Sequence, residues 1–121
     1  WAALTDTDGY AEWNPIFVNV MGVMQPGNEL MLDMKLEDGR TTQVTVTVDA
    51  MQPYRSIQQS AGVPCILTAH HEWRLAPSQR GTLLVQRETY RGVGVLFYDP
   101  VHVELLYLEG LHNLSERLTG P

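Results

Sequence analysis

Between Phe17 and Tyr90 one strand-like segment follows another, and after Pro100 the chain finishes in a single long amphipathic helix. The connections between the strand-like segments are too short for crossovers, so an antiparallel meander is the economical topology. The fold class expected is therefore α+β. A curved antiparallel sheet closed by one terminal helix tends to enclose a hollow, and a hollow implies a ligand.

The strand pattern is clearest in Glu29–Leu36, where Leu30, Leu32, Met34 and Leu36 alternate with Met31, Asp33 and Lys35. That period of two marks a half-buried strand. Asp38-Gly39 signals a two-residue hairpin into Thr41–Asp49, where Val44, Val46 and Val48 share a face. After Pro53 comes a weaker strand, Ser56–Ser60, and Ala61–Leu67, with Gly62 and Pro64, reads as an exposed loop with an apolar tip. Thr68–Leu75 and Gly81–Tyr90 form a hairpin across Ala76–Arg80. Upstream, Phe17–Met24 reads as a strand, preceded by helical turns at Trp1–Thr5 and Tyr10–Trp13. The second turn halts at Asn14, because Pro15 drives its predecessor out of the helical region.

In the terminal helix Asp99 is the expected N-cap and Pro100 the first helical residue. Val103, Tyr107, Leu111, Leu114 and Leu118 fall on one face, with Glu109, Asn113 and Glu116 opposite. Gly110 costs about 1 kcal/mol relative to alanine inside a helix. It is either simply tolerated or it makes room for a close approach or a ligand.

At 121 residues the chain reads as one domain, 1–121, able to bury roughly two thirds of its unfolded surface. A formal net charge of -6 with eight scattered Lys and Arg argues against a nucleic-acid partner. No apolar run reaches the roughly 20 residues of a membrane span, and no signal-peptide pattern is present. The single Cys65 excludes an internal disulfide and fits a reducing, cytoplasmic setting. No cofactor is expected: Gly92-Val-Gly94 lacks the third glycine of a nucleotide loop. No metal is expected either, since His70 and His71, adjacent in a strand, point to opposite faces.

Chemistry, if any, resides in the last hairpin. Its inward face carries Ala69, His71, Trp73 and Leu75 on one strand and Leu84, Gln86, Glu88 and Tyr90 on the other. A turn centred near Ser78 and Gln79 sets His71 opposite Gln86 and diagonal to Glu88. A two-residue slip sets it directly opposite Glu88. Buried polar groups must bond to one another, to water or to a ligand. A His–carboxylate couple can also act as general base and orienting partner. The cluster is either a satisfied polar patch in a cavity wall or a working site. Trp13, Trp73, Tyr90 and Tyr107 add aromatic surface with polar edges.

Trp1-Ala-Ala-Leu-Thr-Asp6 followed by Tyr10-Ala-Glu-Trp-Asn-Pro15 resembles the N-terminal signature of the START-like SRPBCC superfamily, in its polyketide cyclase/dehydrase and lipid-transport branch. Gly62-Val-Pro64, His71-Glu-Trp-Arg-Leu-Ala-Pro77 and Arg87-Glu-Thr-Tyr-Arg-Gly92 are similar to that branch too. The resemblance implies a helix-grip fold, a curved sheet around the C-terminal helix with a hydrophobic cavity between them, and places His71, Glu88 and Tyr90 at cavity-facing positions. Gln86 stands where relatives often carry histidine, and Gln58 lies near a frequent tryptophan position. Relatives also begin with a strand that precedes the first helix and is missing here, which implies an open sheet edge unless another segment or chain covers it.

The function expected is binding of a small hydrophobic molecule, a lipid or polyketide-like compound, by a monomer or homodimer. The expected ligand-binding residues are Trp13, Met34, Val46, His71 and Trp73, with Gln86, Glu88, Tyr90, Tyr107 and Leu111. The alternative is a cyclase or dehydratase in which His71 and Glu88 are catalytic, as proton acceptor and as its orienting group or acid. A third reading has the apolar loop Val63–Leu67 docking a partner or gating the cavity.

Overall fold

The computed structural model describes residues 1–36, 38–63, 65–94 and 100–119. A short helix α1 (Ala2–Thr5) and a 3₁₀ segment (Thr7–Glu12) lead into six strands. These are β1 (Phe17–Met21), β2 (Glu29–Lys35), β3 (Thr41–Gln52), β4 (Ser56–Val63), β5 (Leu67–Ser78) and β6 (Gly81–Arg91). Helix α2 (Pro100–Thr119) completes the chain. Every strand pairs antiparallel with its sequence neighbour, giving the order β1-β2-β3-β4-β5-β6 with β1 and β6 at the edges. Side chains from both edge strands, Val20 on one and Glu88 on the other, line the same cavity, so the sheet curls on itself. This is the α+β meander expected, and among the described residues no strand precedes α1.

Several strand boundaries differ from the sequence expectation for identifiable reasons. The β2–β3 connection is not a two-residue turn: Leu36 N–H donates to the Arg40 carbonyl at 2.7 Å, and Gly39 N–H donates to the Leu36 carbonyl. Gly39 holds φ +85 there, the left-handed conformation that glycine adopts without strain. Strand β1 stops at Met21, not Met24. The Met24 side chain turns into the core, while Gly27 and Asn28 exchange backbone hydrogen bonds with Val48. β3 continues to Gln52 through an irregularity between Val48 and Ala50, which extends the strand beyond Asp49. β4 continues to Val63, so Ala61–Val63 belong to a strand pairing with Leu67–Ala69 rather than to a loop.

The largest correction concerns the last hairpin. Ala76, Pro77 and Ser78 are strand residues, and the turn is Gln79-Arg80, with Ser78 paired to Gly81. Pro77 fits because Leu75 N–H points toward the β4 side, to the Arg55 carbonyl. The N–H that Pro77 lacks would point the same way, and β4 pairs with β5 no further than Arg74.

The core is built on the concave face. Leu4, Leu30, Val48 and Ile57 are its most completely buried side chains. The two N-terminal helical segments cover one end of it. There the Tyr10 hydroxyl donates to the Leu4 carbonyl at 2.6 Å, and burial pushes the phenol's pKa well up. Asn14 is buried but satisfied: its Oδ1 accepts from the backbone N–H groups of Ile16 and Phe17, a side-chain turn that starts β1.

The second half of helix α2 is anchored to the N-terminal segment and the core. Leu114 is buried, Asn113 Nδ2 donates to the Trp13 carbonyl at 3.1 Å, and Arg117 pairs with Glu12. Asn113 therefore faces the body of the protein, not the solvent side expected for it. A Cβ on Gly110 would lie 3.3 Å from Pro15 Cδ, so this glycine serves close approach of helix and N-terminal segment. Leu118, placed by periodicity on the buried stripe, is 64% exposed, because the helix runs past the layer it packs on. The expected N-cap Asp99 lies outside the described residues. Asn113→Ala should lose about 1–2 kcal/mol, since the Trp13 carbonyl loses its donor. Leu118→Ala should stay within about 0.5 kcal/mol of wild type. Paired urea denaturation curves check both.

Candidate functional site

Between the concave face and the first half of α2 lies a cavity of about 260 Å³. The strand registers arrange its far wall as a small grid. One row across β4, β5 and β6 is Ile57, Trp73 and Gln86; the next is Gln59, His71 and Glu88; the third is Ala61, Ala69 and Tyr90. Side chains two residues apart on a strand share a face, which is why these rows all look inward. From α2, Val103 and Tyr107 close the opposite side.

His71 is the centre of the polar row. It stands directly opposite Glu88, not opposite Gln86 as a turn at Ser78 and Gln79 would have it. Its hydrogen bond nonetheless runs diagonally, with 2.7 Å between Gln86 Nε2 and His71 Nε2. The imidazole is packed edge-on against Trp73 (centroids 4.8 Å apart) and Tyr107 (5.7 Å). This apolar surround pushes its pKa down to about 4, so at neutral pH the ring is uncharged. With Nε2 accepting from Gln86, the ring proton sits on Nδ1. Burial pushes the Glu88 carboxyl up, and hydrogen bonds with the Tyr107 and Tyr90 hydroxyls pull partly back.

Three polar atoms of this cluster are buried with no hydrogen-bond partner among the described residues: His71 Nδ1, Gln86 Oε1 and Glu88 Oε2. Each unmatched buried group costs about 1–3 kcal/mol, so three on residues of adjacent rows leave this part of the wall with unmet hydrogen-bonding capacity. Apart from Asn14, Gln59, Ser60 and the two tyrosine hydroxyls nearby, the rest of the wall is predominantly apolar.

Of the residues the sequence nominates, Met34, Val46, His71 and Trp73 line the cavity, as do Gln86, Glu88, Tyr90 and Tyr107. Trp13 and Leu111 do not. Trp13 is buried behind the wall, with Tyr10 at 4.8 Å and Trp73 at 6.2 Å between ring centroids. Leu111 packs against the core and lines an adjoining cleft that also touches Gln86, Glu88, Tyr90 and Tyr107. The sequence reading missed Tyr10, Phe17, Met24 and Gln59, all of which line the cavity. For Gln59 the inward parity of its strand was an available signal, whereas Phe17 stands three positions from the inward Val20 and faces the cavity only through the irregularity between Phe17 and Asn19. Met24, at the end of the expected strand, shares the parity of Val20 and could have been nominated, but for Tyr10, outside any strand, no periodicity exists to use. The apolar β4–β5 turn is exposed at Val63 and Ile66 and is tied to the segment after β6, with Gly94 N–H donating to the Ile66 carbonyl. Among the described residues no three His, Cys, Asp or Glu side chains gather closely enough to hold a metal ion. Nor is any helix among them long and apolar enough to cross a membrane.

No protein-family model matches the chain, and no curated protein matches it in sequence. Solved structures do resemble it. A protein from Rhodobacter sphaeroides superposes with a TM-score of 0.80 at 19% identity, over 98% of this chain and 81% of that one. CalU16 from Micromonospora echinospora gives 0.66 at 20% identity, over 99% of this chain and 65% of that one. Ara h 8.0201, a Bet v 1-like protein, gives 0.61 at 18% identity, over 94% and 86%. At such identities the likeness establishes the helix-grip fold and nothing finer.

Proposed function

We propose that this protein binds one small apolar molecule, of lipid or polyketide-like character, in the cavity between the sheet and α2. What carries the reading is the coincidence of an apolar hollow with three unmatched polar atoms on one wall. A solid-core protein has no use for that combination, since burying polar groups unpaired only costs stability. The size suits a modest guest, because about 260 Å³ falls just below the roughly 300–1,000 Å³ of pockets for drug-sized ligands. Likeness to helix-grip proteins adds support. An acid–base role for His71 and Glu88 is the weaker reading, because an imidazole held near 4 is a poor proton acceptor at neutral pH.

Titration with the neutral fluorophore N-phenyl-1-naphthylamine tests the proposal. Saturable fluorescence enhancement at one site per chain is expected. Ala69→Phe, which extends a ring into the cavity from the centre of the third row, should weaken binding at least tenfold while the protein remains folded by circular dichroism. Absence of saturable binding to the wild-type protein by this probe and by a short-chain alcohol would sink the proposal.

A further inference from the structure

The chemistry of the unmatched atoms narrows the guest. With the proton on Nδ1, His71 offers one donor, and Gln86 Oε1 and ionised Glu88 Oε2 offer acceptors. Turning the Gln86 amide over moves the ring proton to Nε2. Gln86 then presents its NH₂ as donor and His71 Nδ1 becomes an acceptor. Protonating Glu88 turns Oε2 into a donor, with Gln86 Oε1 still accepting. In every arrangement this part of the wall presents at least one unmatched donor and at least one unmatched acceptor.

Few functional groups meet both without charge. A ketone or ester carbonyl only accepts, leaving the acceptors of the wall unmatched. An ammonium only donates, leaving a donor of the wall, the His71 N–H or the Gln86 amide, facing a cation. A carboxylate only accepts, and it would enter beside Glu88 in a cavity whose lining contains neither Lys nor Arg. Burying an anion with no counter-charge is among the most costly events in a protein interior. A hydroxyl does both, from one oxygen.

Building on the binding function above, we infer that the guest is a neutral apolar alcohol or phenol whose hydroxyl seats among His71, Gln86 and Glu88, and that free fatty acids are rejected. The hydrocarbon lies along Leu32, Val46 and Phe17, and the aromatic edges of Trp73 and Tyr107 flank the hydroxyl end.

The experiment measures affinities of 1-decanol, decanoate, decylamine and decane at pH 7.5 on the intact protein, by displacement of N-phenyl-1-naphthylamine. Decanol should bind at least tenfold tighter than each of the others. Glu88→Gln should narrow the gap between decanol and decanoate severalfold, because the neighbouring carboxylate is gone. Gln86→Leu should erase most of the preference of decanol over decane. Equal affinity for all four would overturn the inference and leave the binding function intact. A preference for decanoate or decylamine would also overturn it, and failure of every compound to bind would overturn the binding function itself. Should Gln86→Leu fail to fold, Glu88→Gln still decides, since an unchanged decanol-to-decanoate ratio in that variant counts against the seat.

Discussion

Trp73→Ala should cost about 3–5 kcal/mol of folding stability, the range for truncating a buried large aromatic side chain. Trp73 is 3% exposed, in the middle of β5. Across the sheet it stands between Ile57 and Gln86, and above the sheet it meets Trp13 and His71 edge-on. Removing the indole deletes these contacts at once, and the space left opens into an existing hollow that neighbouring side chains do not fill. Relaxation therefore recovers little. Domains are stable by only about 5–15 kcal/mol in total, so the variant should show a large drop in urea midpoint or be unfolded at 37 °C. A loss below about 1 kcal/mol would mean that the tryptophan is not the pillar its contacts describe.

The second large effect is on pH. His71 titrates near 4 in the folded chain and near 6.5 when exposed. Between those values the unfolded chain holds a proton that the folded chain does not. Stability from this group is thus fully present above pH 6.5 and falls as the solution is acidified. At about 1.4 kcal/mol per pH unit, the loss reaches about 3 kcal/mol by pH 4. Glu88 acts in the opposite sense. Its raised folded value supplies stability at low pH that is lost as pH rises through it, so the two groups partly offset in acid. Tyr107, Tyr90, Gln86 and Trp73 are the other groups packed around the pair. The clean readout is the His71 ring C–H resonance in an NMR titration, with a midpoint expected well below 6.5. A midpoint at 6.5 would show the ring to be solvated. Substituting His71→Leu should flatten the stability profile between pH 6.5 and 4.

Much of this architecture is written in the period of the sequence. Leu30 and Leu32, and Val46 and Val48, are buried as alternation demands, because a strand has no other way to present side chains. The hairpin of β5 and β6 is more instructive. Reading Pro77 and Ser78 as turn residues placed the turn one residue early and shifted every cross-strand partner by two. A shift of two preserves parity, so His71, Gln86 and Glu88 still face inward even though their partners change. The errors that periodicity could not prevent lie where tertiary packing decides. Asn113 looks polar and solvent-bound until the Trp13 carbonyl arrives from another part of the chain. Leu118 matches the apolar stripe but overshoots the sheet. Trp13 resembles a lining residue, yet the 3₁₀ segment before it turns the indole behind the wall rather than into the hollow.

The uneven seating of α2 carries a mechanical consequence. Its last turns are bolted to the N-terminal segment through Asn113, Leu114 and Arg117, whereas its earlier turns touch the hollow through Val103 and Tyr107. The helix is thus fastened to the N-terminal segment at its far end and, nearer its start, reaches the sheet across the hollow through Tyr107, which packs on His71 and bonds to Glu88. Whatever occupies the space beneath it bears first on the Val103 and Tyr107 turns and, through Tyr107, on His71 and Glu88 of β5 and β6.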